Sequence, residues 1–394
     1  MTVAVDFKHV DIVFGPDKGP ALAMIDRAAT RQEILEKTGS VLGCAGANLT
    51  VNEGEISVLM GLSGSGKSTL LRAVNLLNVP ARGHVLVKDG DRMVDMATCD
   101  AATLRHIRQN RVAMVFQQFG LLPWRTVEEN VGFGLELSGV PEAERKARVL
   151  KQLQLVGLDQ WAKKYAHELS GGMQQRVGLA RAFATEAPIL LMDEPFSALD
   201  PLIRTKLQDE LLQLQKTLKK TIIFVSHDLE EALKIGNTIT IMEGGRIVQT
   251  GAPEDIVLRP ANDYVRDFIA NVNPLSVLTA WNVMRDRRDL EAAGEGGWVW
   301  LDRRQTTRFR IDTDGLVAAA ERDGRPAVWV SCDDIERLPE DAPHVFWARP
   351  STTLKTVMLA MHRSQTAPVA LFDESSRFVG AIGVRDVLSA VLRR

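Results

Sequence analysis

Residues 61–69 read GLSGSGKST, and this segment constrains the fold of the chain more than any other. An apolar run at residues 55–60 precedes it and another at residues 68–77 follows, so we predict a strand, a glycine-rich loop and a helix. Glycines let the N–H groups of such a loop converge on phosphate oxygens, and the start of the helix adds partial positive charge. The predicted phosphate-binding residues are Gly61, Leu62, Ser63, Gly64, Ser65, Gly66, Lys67, Ser68 and Thr69.

Four side chains are expected to handle the phosphates, a metal ion and a water molecule. Lys67 is predicted to neutralise the β- and γ-phosphates, and Ser68 to offer its hydroxyl to Mg²⁺. A second apolar strand at residues 189–194, ILLMDE, ends in two acids, which are costly there unless they are used. Since strand side chains alternate in direction, Asp193 is predicted to hold Mg²⁺ through a water, and Glu194 to polarise the attacking water as general base.

A glutamine and a histidine complete the predicted catalytic set. Gln117 follows the strand-like residues 112–116 and precedes a loop, so it is predicted to sense Mg²⁺ and the attacking water. His227 ends the strand-like residues 220–228, which should lie beside the strand that carries Asp193. A lone histidine can be purely structural, but this position favours a contact between His227 and the γ-phosphate.

Residues 1–272 are predicted to form one α/β domain with an antiparallel addition. Strands alternate with helices, and residues 238–251 indicate an antiparallel hairpin that turns at two glycines. Residues 20–40 interrupt this pattern. Thr30 and Glu33 have the spacing of a capping box and Gly39 is placed as a helix stop, so we predict a helical insertion at the surface.

Residues 276–394 are predicted to form a second, smaller module of two related α/β units. The second unit, residues 343–392, indicates a helix, a strand, a turn, a strand and a helix. Residues 315–331 form a weaker copy of this pattern, predicted as a helix followed by a strand, so the first unit is degenerate.

Composition narrows the class of protein. The net charge is -2, whereas a nucleic-acid partner normally requires a basic surplus, so no nucleic acid is expected. The three cysteines, Cys44, Cys99 and Cys332, fit neither a metal spacing nor a disulfide framework, which favours a reducing compartment. The N-terminus lacks a signal-peptide pattern and no run of 18 apolar residues occurs, so any membrane role is expected to come through a partner chain.

In the order of its motifs, the chain resembles the ATP-binding subunits of ABC transporters. The matching segments are GLSGSGKST, FQQ, LSGGMQQR, ILLMDEP, SALD and SHD. The resemblance implies a P-loop ABC-ATPase domain with an antiparallel subdomain and a helical signature subdomain. It also implies ATP and Mg²⁺ as ligands, and a homodimer of two head-to-tail copies.

The same resemblance implies that LSGG binds the ATP held by the other subunit. The residues implied are Leu169, Ser170, Gly171, Gly172 and Gln174. Elementary physics agrees, because Ser170 would cap a helix over residues 171–184 whose glycines allow an anion to approach closely. Asp200 of SALD is implied to cross the dimer interface. Phe14 is the candidate to stack on adenine, with a core position as the alternative.

Further segments resemble the ATPase subunits of glycine betaine, proline betaine and choline importers. They are FQQFGLLPWRTVEENVGFGLEL, the insertion ILEKTGSVLGCAGANLTV, LIRTKLQDELLQLQ, PANDYVRDFI and a C-terminal pair of CBS-like units. This implies an ATPase that energises uptake of a quaternary ammonium solute. It would be peripheral, at the cytoplasmic face of the inner membrane, on permease subunits that receive solute from a separate binding protein.

Several alternatives stay open at this point. The chain could serve another small solute, or act as an ABC ATPase outside transport, and the C-terminal module could sense ionic strength or a nucleotide or be structural only. Five tryptophans are concentrated in the tail. We predict that they fill small sheet cores rather than form an aromatic cage for a cation. They are Trp281, Trp298, Trp300, Trp329 and Trp347.

Overall fold

The structure is a computed structural model that describes residues 2–335 and 343–392. The chain divides into two compact units. The first comprises the residues up to Ile256 together with Pro260–Ile269, and the second comprises Val257–Arg259 and the described residues from Ala270 onward. Within the described residues, no helix is both long enough and apolar enough to cross a bilayer.

Residues 2–268, all of which the structure describes, contain ten strands and eleven α-helices. The strands are β1 (Val3–Phe14), β2 (Val41–Asn52), β3 (Ile56–Met60), β4 (Arg82–Asp89), β5 (Arg92–Asp95), β6 (Val112–Val115), β7 (Ile189–Asp193), β8 (Thr221–Val225), β9 (Thr238–Glu243) and β10 (Arg246–Gly251). The helices are α1 (Gly19–Asp26), α2 (Arg31–Thr38), α3 (Lys67–Leu71), α4 (Ala101–Asn110), α5 (Val127–Leu137), α6 (Glu142–Leu155), α7 (Gly171–Ala184), α8 (Pro201–Leu218), α9 (Leu229–Ile235), α10 (Pro253–Leu258) and α11 (Asp263–Phe268).

The central sheet has six strands in the order β10-β9-β3-β8-β7-β6. All its pairings are parallel except the β9–β10 hairpin, which turns at the predicted glycines. Strands β3, β7 and β8 are buried at every residue, which explains their continuous rather than alternating apolar pattern. Because these strands run in the same direction, the segments that follow Met60, Asp193 and Val225 emerge at one edge of the sheet.

A second sheet is antiparallel, with the strand order β2-β1-β4-β5. Between β1 and β2 lies the predicted helical insertion, which contains α1 and α2. The capping box at the start of α2 is confirmed, because Thr30 and Glu33 bond each other's backbone N–H groups. Gly39 ends the helix with a left-handed φ of 66°, as predicted.

The helix predicted over residues 68–77 is shorter than expected. Helix α3 ends at Leu71, and the following residues form turns in which several N–H groups bond carbonyls three residues back. Leu76 has a φ of +56°, which an α-helix cannot contain. Ala73 and Val74 are fully buried, so core packing overrides the apolar helical pattern here.

The described residues of the second unit form two sheets. One has the order β11-β19-β18-β17-β16, and the other is antiparallel with the order β12-β13-β14-β15. The strands are β11 (Arg285–Asp286), β12 (Trp298–Trp300), β13 (Thr307–Ile311), β14 (Val317–Arg322), β15 (Arg325–Pro326), β16 (Val328–Ser331), β17 (His344–Ala348), β18 (Val369–Phe372) and β19 (Phe378–Ile382), and the helices are α12 (Leu354–Arg363) and α13 (Val384–Leu392). The helix, strand, turn, strand and helix predicted for the last part of the chain are confirmed as elements.

The helix predicted at the start of residues 315–331 is wrong. Strand β14 occupies this position and pairs with β13 and β15. Alanines favour a helix in isolation, but Ala320 packs in a cluster with Phe309, and this contact favours a sheet. Asp323 and Gly324 have φ values of 53° and 74° and form the hairpin turn, an Asp-Gly signal that the propensity argument overlooked.

The tryptophans of the tail are less buried than predicted. Trp281 is 60% exposed and Trp329 is 36% exposed. Arginines cover the other three rings, with Arg308 over both Trp298 and Trp300. The Arg308 guanidinium lies 4.6 Å from the ring centre of Trp298, and that of Arg349 lies 5.2 Å from the ring centre of Trp347.

Candidate nucleotide site

The loop after β3 has the close backbone approach that its glycines predict. Gly61 has a φ of +142°, and a Cβ there would overlap the carbonyl oxygen of Met242 on the neighbouring strand β9. Gly66 has a φ of +101°, and a Cβ there would overlap the carbonyl oxygen of Gly43. No side chain fits at either position, so this curled backbone requires glycine at both ends of the loop.

Lys67 is the first residue of α3, and its side chain lies against the loop. Its Nζ donates to the carbonyl oxygens of Gly61 at 2.8 Å and Leu62 at 3.0 Å, and the residue is only 5% exposed. Burial lowers the pKa of the Lys67 ammonium, while the carboxylates of Glu194 and Asp193 act in the opposite direction. The loop therefore carries a buried lysine with two carboxylates nearby.

Asp193, at the end of β7, is fully buried and has two donors. Its Oδ1 accepts from Ser68 Oγ at 2.6 Å, and its Oδ2 accepts from Arg72 Nη2 at 2.8 Å. Mg²⁺ prefers oxygen ligands and usually takes one or two from the protein, with waters and phosphates completing its shell. The paired oxygens of Asp193 and Ser68 fit this chemistry, and the Oγ of Ser65 is buried without a hydrogen-bond partner in the same loop.

Glu194 turns away from the line of the strand. Its φ of +48° is left-handed, which is rare for a residue with a side chain and marks local strain. Its Oε2 accepts from Gln117 Nε2 at 3.2 Å and lies 3.2 Å from His227 Nδ1. The two acids thus face different partners, as predicted, although a turn in the backbone causes this rather than strand alternation. His227 lies two residues beyond the end of β8, not at its last residue as predicted.

These residues line one cavity of roughly 440 Å³, a size typical of small-molecule sites. Phe14 lies at this cavity and is 43% exposed, so it is not the core residue that the sequence left possible. The sequence analysis missed two lining residues, Arg31 in the helical insertion and Gly43 in β2, because both lie outside the motif segments. The lining residues are Phe14, Arg31, Gly43, Ser63, Gly64, Gly66, Lys67, Ser68, Thr69, Gln117, Glu194 and His227.

The LSGG segment lies at the start of α7, and none of its residues lines this cavity. Ser170 is the N-cap, with its Oγ accepting from the N–H of Met173 at 3.4 Å. Gln174 Nε2 donates to the carbonyl oxygens of Ala166 and Leu169, which fixes the segment before the helix. A Cβ on Gly171 would meet open space. The structure thus separates the two glycine-rich helix starts within one chain.

Asp200 lies at the start of the helix that follows the acids, and a glutamine connects α7 to Glu194. Asp200 caps α8, and its Oδ1 accepts from the N–H of Ile203 at 3.0 Å. Gln175 of α7 donates from Nε2 to the carbonyl of Glu194 at 3.2 Å, and its Oε1 accepts from the N–H of Ala198 at 3.1 Å. The sequence analysis missed Gln175. A polar residue on the buried stripe of α7 was the available signal.

Comparisons with known proteins agree with this geometry. The ABC transporter family profile matches residues 44–197. The glycine betaine/proline betaine transport system ATP-binding protein ProV of Salmonella typhimurium is 42% identical over 100% of this chain and 98% of its own. The glycine betaine transport ATP-binding protein OpuAA of Bacillus subtilis is 40% identical over 99% of this chain and 92% of its own.

A solved structure shows the same fold over part of the chain. The dimeric post-hydrolysis structure of the ATP-binding cassette MJ0796, bound to ADP and Pi, has a TM-score of 0.55 and 30% sequence identity. It covers 63% of this chain and 98% of its own. With a phosphate-binding loop, two adjacent acids and relatives that match over its whole length, the chain belongs to the ATP-binding proteins of ABC transporters.

Proposed function

We propose that the chain hydrolyses ATP to energise import of a quaternary ammonium solute, glycine betaine or choline, through a membrane permease. The observation that carries this proposal is the similarity over the entire chain, including residues 270–394, to a transport protein named for glycine betaine and proline betaine. The cavity supplies the chemistry, because Lys67, Ser68 and Glu194 line one space at the edge of the sheet. Asp193 is buried beside it and accepts a hydrogen bond from Ser68 Oγ.

In this proposal, the side chains divide the work of hydrolysis. The loop N–H groups and Lys67 bind the β- and γ-phosphates. Mg²⁺, held by Ser68 and Asp193, would neutralise charge on the phosphate oxygens. Glu194 accepts a proton from water as the water oxygen bonds to the γ-phosphorus, and the bond to the β–γ bridging oxygen breaks. Gln117 and His227 hold the Glu194 carboxylate in place through their 3.2 Å contacts.

We also propose that a second copy completes the site. The N-terminus of α7 presents Ser170, Gly171 and Gly172 away from the cavity of its own chain, so it is free to contact nucleotide bound by another chain. A helix N-terminus capped in this way favours an anion. The homodimer would then be head-to-tail, with Leu169 and Gln174 supporting the signature segment and Asp200 at the interface.

The partners and location follow from the transport role. The chain would be peripheral, at the cytoplasmic face of the inner membrane, bound to permease subunits that receive solute from a binding protein. The loop after Gln117 is the proposed permease contact, since Trp124 there is 71% exposed.

Phe14 is proposed to stack on adenine. Residues 276–394 are proposed as a CBS-like module after the 1–272 ATPase domain, with residues 343–392 as its better-formed copy.

The test is uptake of labelled glycine betaine and choline, at low and high osmolarity, in cells that carry either the wild-type chain or Glu194→Gln. We expect Glu194→Gln to abolish uptake of at least one of the two solutes. Loss of choline uptake at every osmolarity indicates a nutrient importer with a structural tail. Loss of osmotically induced betaine uptake indicates an osmoprotectant importer with a regulatory tail. Unchanged uptake of both solutes would refute the solute assignment.

A further inference from the structure

The helical insertion between β1 and β2 brings a cation to the nucleotide cavity. Arg31 is the first residue of α2 and lines the cavity together with Phe14 and the loop residues. Its Nη1 donates to the carbonyl oxygen of Gly64, in the middle of the phosphate-binding loop. The insertion and the loop are therefore in direct contact at the rim of the site.

The position of Arg31 is fixed by the residues around it. Thr30 caps the helix, and its N–H donates to Glu33 Oε2 at 2.7 Å, so the backbone at Arg31 is held by the capping box. Ile34, one turn along, is fully buried in a small apolar cluster that joins the insertion to β1 and β2. The cluster consists of Val13, Ala21, Ile25, Ile34, Leu42 and Ala45.

The charge of Arg31 is not neutralised by an acid of the insertion or of the loop. Among the residues that the structure describes, Arg31 forms no salt bridge with a carboxylate, and its hydrogen-bond acceptor is a single neutral carbonyl. A guanidinium has five N–H donors, so most of its donors have no role in the contact with Gly64. Its neighbour across the loop, Lys67, is also a cation. Two cations at one cavity favour a polyanionic ligand.

We propose that Arg31 binds the phosphate chain of the nucleotide, so that the insertion contributes a second cation to the site beside Lys67. The proposal rests on the nucleotide site described under the proposed function and adds a residue that lies outside the family's motif segments. When the nucleotide binds, the guanidinium keeps its contact with the Gly64 carbonyl and uses further N–H groups on phosphate oxygens. The insertion then responds directly to occupancy of the cavity.

A competing role would be a latch, in which Arg31 only ties the insertion to the loop through the Gly64 carbonyl. The two roles differ in what they require of the side chain. A latch requires a donor of suitable length, whereas a phosphate contact requires positive charge. Arg31→Gln keeps a donor without the charge, and Arg31→Lys keeps the charge without the planar fork. These two variants therefore separate the alternatives.

The experiment measures MgATP affinity of the purified full-length chain by displacement of a fluorescent ATP analogue at low and high salt. Arg31→Ala and Arg31→Gln should each weaken binding by about tenfold, since a charge-assisted hydrogen bond contributes about that much. Arg31→Lys should restore most of the loss, and the salt dependence of the wild type should exceed that of Arg31→Gln. Thermal unfolding without nucleotide verifies that each variant folds.

Two matched controls make the result decisive. Arg27→Ala removes an exposed arginine of the same insertion that does not line the cavity, and it should leave affinity unchanged. Lys67→Ala should abolish binding. If Arg31→Ala leaves affinity unchanged, or if Arg31→Gln binds as well as Arg31→Lys, the Arg31 proposal is wrong while the site stands. If Lys67→Ala also binds normally, the nucleotide site itself is wrong.

Discussion

The side chain of Gln175 donates a hydrogen bond of 3.2 Å from Nε2 to the backbone carbonyl of Glu194. The same amide accepts from the N–H of Ala198, and the residue is 1% exposed. Gln175 lies on α7, whose first turn carries the signature segment. This buried amide therefore joins two proposed functional elements. One is α7, whose start is proposed to contact the nucleotide of the partner, and the other is the strained residue Glu194, which is proposed to act on the nucleotide of its own chain.

This contact predicts that Gln175 positions Glu194 without touching nucleotide. Gln175→Leu should leave the Ala198 N–H unpaired, at a cost of about 1–3 kcal/mol. It should also remove one donor from the Glu194 carbonyl, which would keep its contacts with Ser197. We expect the ATPase kcat to fall at least tenfold, with MgATP affinity within about twofold of the wild type. Steady-state kinetics and equilibrium binding measure the two quantities. Gln213→Leu on the exposed face of α8 is the control, and equal kcat in both variants would contradict the prediction.

The geometry around Glu194 predicts a variant that binds ATP and does not hydrolyse it. Glu194→Gln keeps the shape and the contacts with Gln117 and His227 but cannot accept a proton from water. We expect kcat to fall about 10²–10⁴-fold with affinity retained. Glu186→Gln is a close control, because Glu186 also has a positive φ, of 55°, but is 59% exposed away from the cavity. Full activity in Glu194→Gln would remove Glu194 as the base.

The pairing of Asp193 predicts a stability effect from Arg72. Arg72→Met would leave the fully buried Asp193 carboxylate with the Ser68 hydroxyl as its remaining side-chain donor among the described residues. We expect the free energy of unfolding of the nucleotide-free chain to fall by about 1–3 kcal/mol. Urea unfolding measures this change. Arg105→Met, at an exposed arginine of α4, should have little effect, and an equal loss in both variants would show that the ion pair contributes nothing.

The residues of the phosphate-binding loop and the two acids could be predicted from the sequence because short local segments determine them. A strand, a glycine-rich turn and a helix start are set by neighbouring residues, and parallel pairing then brings the ends of β3, β7 and β8 together. The capping box at Thr30 and the N-cap at Ser170 follow from the same local rules. The catalytic roles of the loop residues and of the two acids stay predictions.

The residues that the sequence analysis missed depend on contacts between distant segments. Arg31 reaches Gly64 across 33 positions, and Gln175 reaches Glu194 across 19. The buried helix stripe marks Gln175 as a polar residue that needs a partner, but no local pattern indicates the partner of either residue. Strand β14 was mistaken for a helix because alanine propensity is intrinsic, whereas its pairing with β13 depends on Phe309 and the Asp-Gly turn.

Buried Glu231 predicts a pH dependence of stability. Burial raises its pKa above the ordinary value of 4.5, although Ser226 and Gln208 donate hydrogen bonds to the carboxylate. Between 4.5 and the raised pKa, the folded chain binds more protons at this site than the unfolded chain does. The stability contributed by Glu231 is therefore lost as the pH rises through that window.

Glu231→Gln removes this titration and keeps a hydrogen-bonding side chain of the same shape. We expect the stability of Glu231→Gln relative to the wild type to increase as the pH rises from below 4.5, and then to level off. Urea unfolding across this pH range measures the difference. Glu230→Gln, at the exposed neighbouring position, should show no such trend. A constant difference between Glu231→Gln and the wild type would contradict the burial argument.

The open space at Gly171 provides a test of the proposed dimer that does not disturb the fold. A Cβ there meets nothing, and an aspartate in the first turn of a helix is favourable for the helix itself. Gly171→Asp should therefore fold at least as stably as the wild type, yet it would place a carboxylate where the partner's phosphates are proposed to lie.

In the Glu194→Gln background, we expect MgATP to drive dimer formation, and Gly171→Asp to prevent it while each chain still binds nucleotide. Light scattering with and without MgATP measures the mass, and Gly171→Ala should dimerise, since it adds only a methyl group. A Gly171→Asp chain that dimerises as well as Gly171→Ala would show that the start of α7 does not contact the partner's nucleotide.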